Sequence, residues 1–323
     1  MEFPRAALNV QRGLALALLA AVLGVAVVER ASPLASRVRA GAPWPFWLAV
    51  REPGRAAPPS FHLGVYHPVR RVLVLIHVPE TAKLQGKLTA ARAYADALRA
   101  TDDAAAAARA VEDLAQIKLS ALSPEPLNWE GAGRLELALE AGDDEEEAAV
   151  SAARALKERG RSPRSLWPLA RRAASGLLKG DKAAADALLL TLELRRTPLE
   201  SLQPALLPDD APAASFLARA FAASPEPRAD DKAIVVEVLN GTDSAGLAAQ
   251  AAKVLRLRGV DVMALGQAPR PRSRTVVYDR IGDFERAARV RAALGCPTAI
   301  AATRIDPLRG VDASVELGGD CTF

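Results

Sequence analysis

Between positions 270 and 291 the chain carries seven arginines. The stretch PRPRSR (269–274) sets Arg270, Arg272 and Arg274 in one loop, and Arg280, Arg286, Arg289 and Arg291 follow. Guanidinium groups at that density suit an anion, because each presents a planar fork of donors to phosphate or carboxylate oxygens. A phosphate-bearing polymer, peptide carboxylates or lipid headgroups would all qualify. The same density also describes a solvated surface in an arginine-rich chain, and both readings stand. Tyr278 lies between the loop and Arg280, so the candidate ligand-binding set is Arg270, Arg272, Arg274, Tyr278 and Arg280.

Phosphate chemistry has a second candidate in IVVEVLNGTDSAG (234–246), a strand running into a glycine-bearing turn and then a helix. Gly241 and Gly246 have the glycine spacing of a P-loop, but Leu247 and Ala248 stand where Lys and Ser or Thr would hold phosphate and metal. The turn therefore reads as structural. Asn240-Gly241 suits a tight turn with positive φ, Gly246 closes it, and Thr242, Asp243 or Ser244 can cap the helix. The three histidines, His62, His67 and His77, have no metal-site spacing, and no nucleophile elbow is present. Asp102-Asp103 and Asp230-Asp231 read as a helix cap and as hinge polarity. No catalytic set, metal site or cofactor is expected. Cys296 and Cys321 fit a disulfide in an oxidising compartment, or two unrelated small residues.

The elements that must position these residues begin with an export-signal pattern: Arg5 and Arg12 precede the uncharged run LALALLAAVLGVAVV (14–28). That pattern describes an uncleaved signal anchor over 1–30 or a cleaved signal, and either carries the rest of the chain out of the cytoplasm. Residues 31–60, rich in proline and containing WPFW (44–47), read as a linker emerging from the membrane. Residues 61–226 read as helix-rich with at least one buried strand, VRRVLVLIHV (69–78). Helices are expected over 81–100, 103–122, 164–179, 181–196 and 199–206, with a boundary near Pro227. Residues 232–323 read β-α-β-β-α-β, which an antiparallel-rich, ferredoxin-like sheet with two helices on one face would close. The fold class is thus α/β, with an N-terminal transmembrane helix, a mostly helical middle and an α+β C-terminal domain. The net charge of +4 on 323 residues points weakly to an anionic neighbour.

Several stretches of the last domain resemble the LytR C-terminal domain. They are Leu239-Asn240-Gly241-Thr242, Gly246-Leu247-Ala248, Gly259-Val260-Asp261-Val262 and Thr275-Val276-Val277-Tyr278, then Val315, Leu317, Gly318 and Asp320. The resemblance implies an exported, membrane-anchored envelope protein of bacteria, single-pass in the cytoplasmic membrane with its bulk on the periplasmic side. Such domains often follow a LytR-CpsA-Psr catalytic domain, which attaches lipid-linked glycopolymers to peptidoglycan. The middle is similar to that domain only at Ile76-His77-Val78-Pro79, Thr81 and Lys87 to Tyr94. Glu80 stands where the family has Arg-Asp, the aspartate-bearing strand upstream has no counterpart, and Arg171 and Arg172 are the nearest candidates for a second phosphate clamp. Phosphoryl transfer needs such groups to neutralise developing charge. The expectation is a non-catalytic envelope protein that binds cell-wall polymer or an envelope partner. The alternative is a divergent glycopolymer phosphotransferase. No helix-turn-helix or other nucleic-acid-reading motif is legible, so no nucleic-acid partner is expected.

Overall fold

A computed structural model describes residues 32–52, 58–123, 126–138, 145–159, 163–179, 182–198, 201–208, 211–222 and 233–323, together with Ala26 and Arg30. The rest of the expected N-terminal anchor and the hinge around Pro227 lie outside the described residues. No helix among the described residues is long and apolar enough to cross a membrane.

The expected linker over 31–60 is instead helix and sheet. Helix α1 (Pro33–Ala40) leads into strand β1 (Trp44–Arg51), which pairs antiparallel with β2 (Ser60–His67), and β2 pairs with β3 (Val72–Val78). WPFW lies in the interior, with Trp44 and Phe46 fully buried and Trp47 nearly so. The physical reason is alternation: Trp44, Phe46 and Leu48 serve one face of the sheet while Trp47 and Ala49 serve the other. So much apolar surface is worth far more buried than at a linker's surface.

Two further strands were not expected. β6 (Gly133–Ala138) runs parallel to β1, and β7 (Leu202–Leu206) runs parallel to β3 where a helix over 199–206 was expected. Pro204 cannot sustain a helix interior, and Leu202 and Ala205 serve opposite faces as strand residues do. The helix expected over 81–100 begins later, because β4 (Lys83–Gln85) and β5 (Leu88–Thr89) form a hairpin before α2 (Ala90–Thr101). Helices α2, α3 (Ala104–Leu122) and α7 (Ala211–Phe221) cover one face. Helices α1, α4 (Glu145–Arg159) and α6 (Ala183–Arg196) cover the other, with α5 (Pro163–Leu178) packed on α6.

The C-terminal unit has the order of elements β8 (Val235–Asn240), α8 (Leu247–Leu257), β9 (Asp261–Gln267), β10 (Val276–Asp279), α9 (Phe284–Leu294), β11 (Ile300–Thr303) and β12 (Ala313–Leu317). Its strand order, β11-β10-β12-β8-β9, is not ferredoxin-like, and only the β10–β12 pairing is antiparallel. Each helix returns the chain to the neighbouring parallel strand, so β9 and β10 do not form a hairpin. The loop 268–275 crosses the sheet instead and leaves a slot that β12 fills. β10 runs opposite to β8 and its crossover also moves in the opposite direction, so two right-handed crossovers put both helices on one face. Leu247, Ala251 and Leu255 of α8 and Ala287, Val290 and Leu294 of α9 share one core with Val236, Val277 and Val315. The two units form one ten-stranded sheet, joined where Ala205 of β7 meets Thr303 of β11.

Candidate functional site

With both helices on one face, the alternation of β10 and β12 sends Tyr278, Ser314 and Glu316 to the other. There the ring of Tyr278 is surrounded by cations: the guanidinium carbons of Arg280, Arg272 and Arg304 lie 4.8, 5.7 and 6.0 Å from its centroid. These distances are within the range in which an aromatic face attracts a cation. Arg272 Nη2 donates to Tyr278 Oη at 2.5 Å, and Arg272 Nε donates to Glu316 Oε2 at 2.8 Å. Arg280 Nε donates to Ser314 Oγ at 2.7 Å, and its Nη2 lies 3.9 Å from Glu316 Oε1. Ser314 Oγ in turn donates to Glu237 Oε1, which also receives Arg309 Nη1 at 2.6 Å. Burial, then the neighbouring charge of Arg309, pushes the Arg280 pKa down, while Glu316 opposes the shift.

The five candidates thus divide. Arg272, Tyr278 and Arg280 are buried and bonded inward, whereas Arg270 is exposed and Arg274 half-buried in the loop. Of the remaining arginines, Arg286 is buried against Asp312 at 2.8 Å in the helix layer, and Arg289 is exposed on α9. Arg304, exposed beside Tyr278, escaped sequence reading, as did the anions Glu237 and Glu316 that hold the buried pair. The alternation in ASVEL (313–317) was the available signal: it places Ser314 and Glu316 on one face.

The Asn240-Gly241 turn holds this loop in place. Asn240 Oδ1 accepts from Thr242 N and Oγ1, and Asn240 Nδ2 donates to Ser244 O. Gly241 N donates to Leu317 O, and Arg272 N donates to Gly241 O at 2.8 Å. Gly241 is required by proximity and not, as expected, by positive φ: a Cβ there would lie 2.6 Å from Leu317 O and 2.9 Å from the Arg272 side chain. Positive φ belongs to Gly246, at +82°, which is itself the N-cap residue of α8 in place of Thr242, Asp243 or Ser244. On the other side of the loop, Thr275 N and Oγ1 donate to Asp320 Oδ1, both at 2.8 Å. Cys296 and Cys321 are joined in a disulfide, which ties the Asp320 segment to the end of α9. Among the described residues, three metal-ligating types converge only at Cys296, Asp320 and Cys321, and sulfurs bonded to each other are not thiolate ligands.

The middle unit keeps its candidates apart. Lys87 and Arg92 are exposed near the start of α2, and Arg92 lies 3.8 Å from Asp96. Arg171 and Arg172 are exposed on α5, outside α6 and across the sheet from α2. They cannot converge on one phosphate. The rings of His62 and His77 lie 5.0 Å apart across β2 and β3, tilted by 51°, with Ser60 Oγ 3.0 Å from His62 Nε2. Burial, and then His77, lowers the His62 pKa to about 3; burial lowers His67, bonded to Ala220 O, to about 4.

Residues 233–320 match the family model described as LytR cell envelope-related transcriptional attenuator, so this unit is a LytR C-terminal domain. A similar solved structure is the solution structure of the C-terminal domain of RV0431, at 24% identity over 30% of this chain and 80% of that one, with a TM-score of 0.21. No curated protein matches this sequence.

Proposed function

We propose that the protein is a non-catalytic envelope component, held to the cytoplasmic membrane by its N-terminal apolar run with its bulk on the periplasmic side. Its LytR C-terminal domain binds anionic cell-wall polymer through the loop 268–275. The observation that carries this reading is the division of labour among the arginines. Arg272 and Arg280, locked to Glu316, Ser314 and Tyr278, form a fixed base. The loop that rests on it carries Arg270 and Arg274, and Arg304 lies exposed beside Tyr278. A fixed base cuts the ordering cost of binding, and flexible anionic polymers reward cations whose spacing is preset. The separation of Lys87 and Arg92 from Arg171 and Arg172 supports a middle unit without phosphotransferase chemistry.

The test is cosedimentation of the full chain with sacculi whose wall polymers are retained or stripped, at low and high salt. Salt-sensitive pelleting that vanishes with the polymers, and that R270E/R274E abolishes, is the expected result. Absence of pelleting under every condition would rule out wall binding and leave an envelope protein as the partner to seek.

A further inference from the structure

Strands β7 and β11 pair at a single position, Ala205 opposite Thr303. Both run the same way, and before that point they part, so a cleft of about 220 Å³ opens between the two units. Its floor is apolar and buried: Val150 from α4, Leu202 from β7, and Ala299, Ile300 and Ala301 from β11 and the turn before it. Two cations stand higher on opposite walls, Arg154 of α4, which is exposed, and Arg291 of α9, which is half-buried. Neither guanidinium has an ion-pair partner among the described residues, and no described carboxylate lines the cleft.

We infer that this cleft is a binding site for an amphipathic anion, distinct from the loop 268–275. An apolar chain end would occupy the floor, and a single phosphate or carboxylate would sit at the rim between Arg154 and Arg291. The burial gradient fixes that orientation, since the apolar floor would strip the anion of water without pairing it while the rim leaves it hydrated and paired. The volume falls below the roughly 300–1,000 Å³ of sites that enclose a drug-sized ligand. It therefore suits one end of a chain whose remainder leaves the cleft, as a lipid's or fatty acid's would.

The probes are hexyl phosphate and hexanoate, with hexanol and inorganic phosphate as controls. Each is titrated calorimetrically into the full chain in lipid nanodiscs, against empty nanodiscs. Saturable binding of either amphiphile, at least tenfold tighter than both controls, is expected, and a preference between them identifies the headgroup. R154E/R291E should lose at least tenfold in affinity while its circular dichroism melt matches the parent's, since both side chains reach solvent. The inference fails if hexanol or inorganic phosphate binds as tightly as the amphiphiles, if no saturable heat appears, or if the folded double variant binds unchanged.

Discussion

Arg272 stands two positions from Arg270, yet its guanidinium serves Glu316 and Tyr278 in the interior while Arg270 remains at the surface. Arg272→Ala would strand Glu316, which is nearly inaccessible, with only the more distant Arg280 for charge among the described residues. Breaking a buried pair from one side costs about 3–5 kcal/mol, against about 0.5 kcal/mol for a surface change such as Arg270→Ala. Urea denaturation of the two variants should separate them accordingly; equal midpoints would mean that Glu316 is already solvated. The histidines set a pH dependence. With folded pKa values lowered to about 3 and about 4, His62 and His67 contribute stability that is complete above their unfolded pKa near 6.5 and declines as pH falls below it. Glu112, raised to about 7 by burial despite Arg134 at 2.7 Å, acts in the opposite sense, losing its contribution as pH rises from 4.5 through 7. Two histidines against Glu112 leave a net decline on acidification of roughly 1 kcal/mol per pH unit between 6.5 and 4.5, which Asp279, raised by burial, opposes at the acidic end. Denaturation midpoints at pH 7.5, 6 and 4.5 would check this, and a flat profile would mean the imidazoles reach water in the fold.

At the scale of elements, the loop 268–275 has no regular structure of its own and takes its shape from its neighbours. Gly241 holds one side through Arg272 N, and Asp320 holds the other through Thr275. Asp320 precedes Cys321, so the disulfide to Cys296, 25 residues away, fixes the anchor on which the loop rests. Closing a loop of that length restricts the unfolded chain by about 3 kcal/mol. Reduction should therefore lower the stability of the C-terminal domain by about that amount. It should also raise amide exchange in 268–275 and 318–321 before the α8 and α9 cores respond. Uniform exchange across the domain would show that the loop does not depend on the tail.

For the whole molecule, the seam between the two units brings together a strand pairing, an ion pair of Arg70 with Glu285 at 3.6 Å and the packing of Ile305 onto the first unit's core. Gly282 sits in this seam with φ +78°, where a Cβ would lie 2.2 Å from Arg219 Nη2. Gly282→Ala would add left-handed strain and displace Arg219, for a cost of about 1–3 kcal/mol. A thermal melt should then show the two units separating into distinct transitions; an unchanged melt would mean the seam carries no coupling. The sequence by itself determined the α3 and α6 helices, a buried strand within 69–78, the order of the first six elements after 232 and the module they resemble, because periodicity, turn residues and cap signals are local. It also made the arginine cluster visible. Only the tertiary structure decided that 44–51 is core and not linker, that β12 enters between β10 and β8, and which arginines bond inward. Those outcomes depend on strand order and on partners such as Glu316, 44 residues from Arg272, and a local pattern records a residue's face but not the neighbour it will meet there.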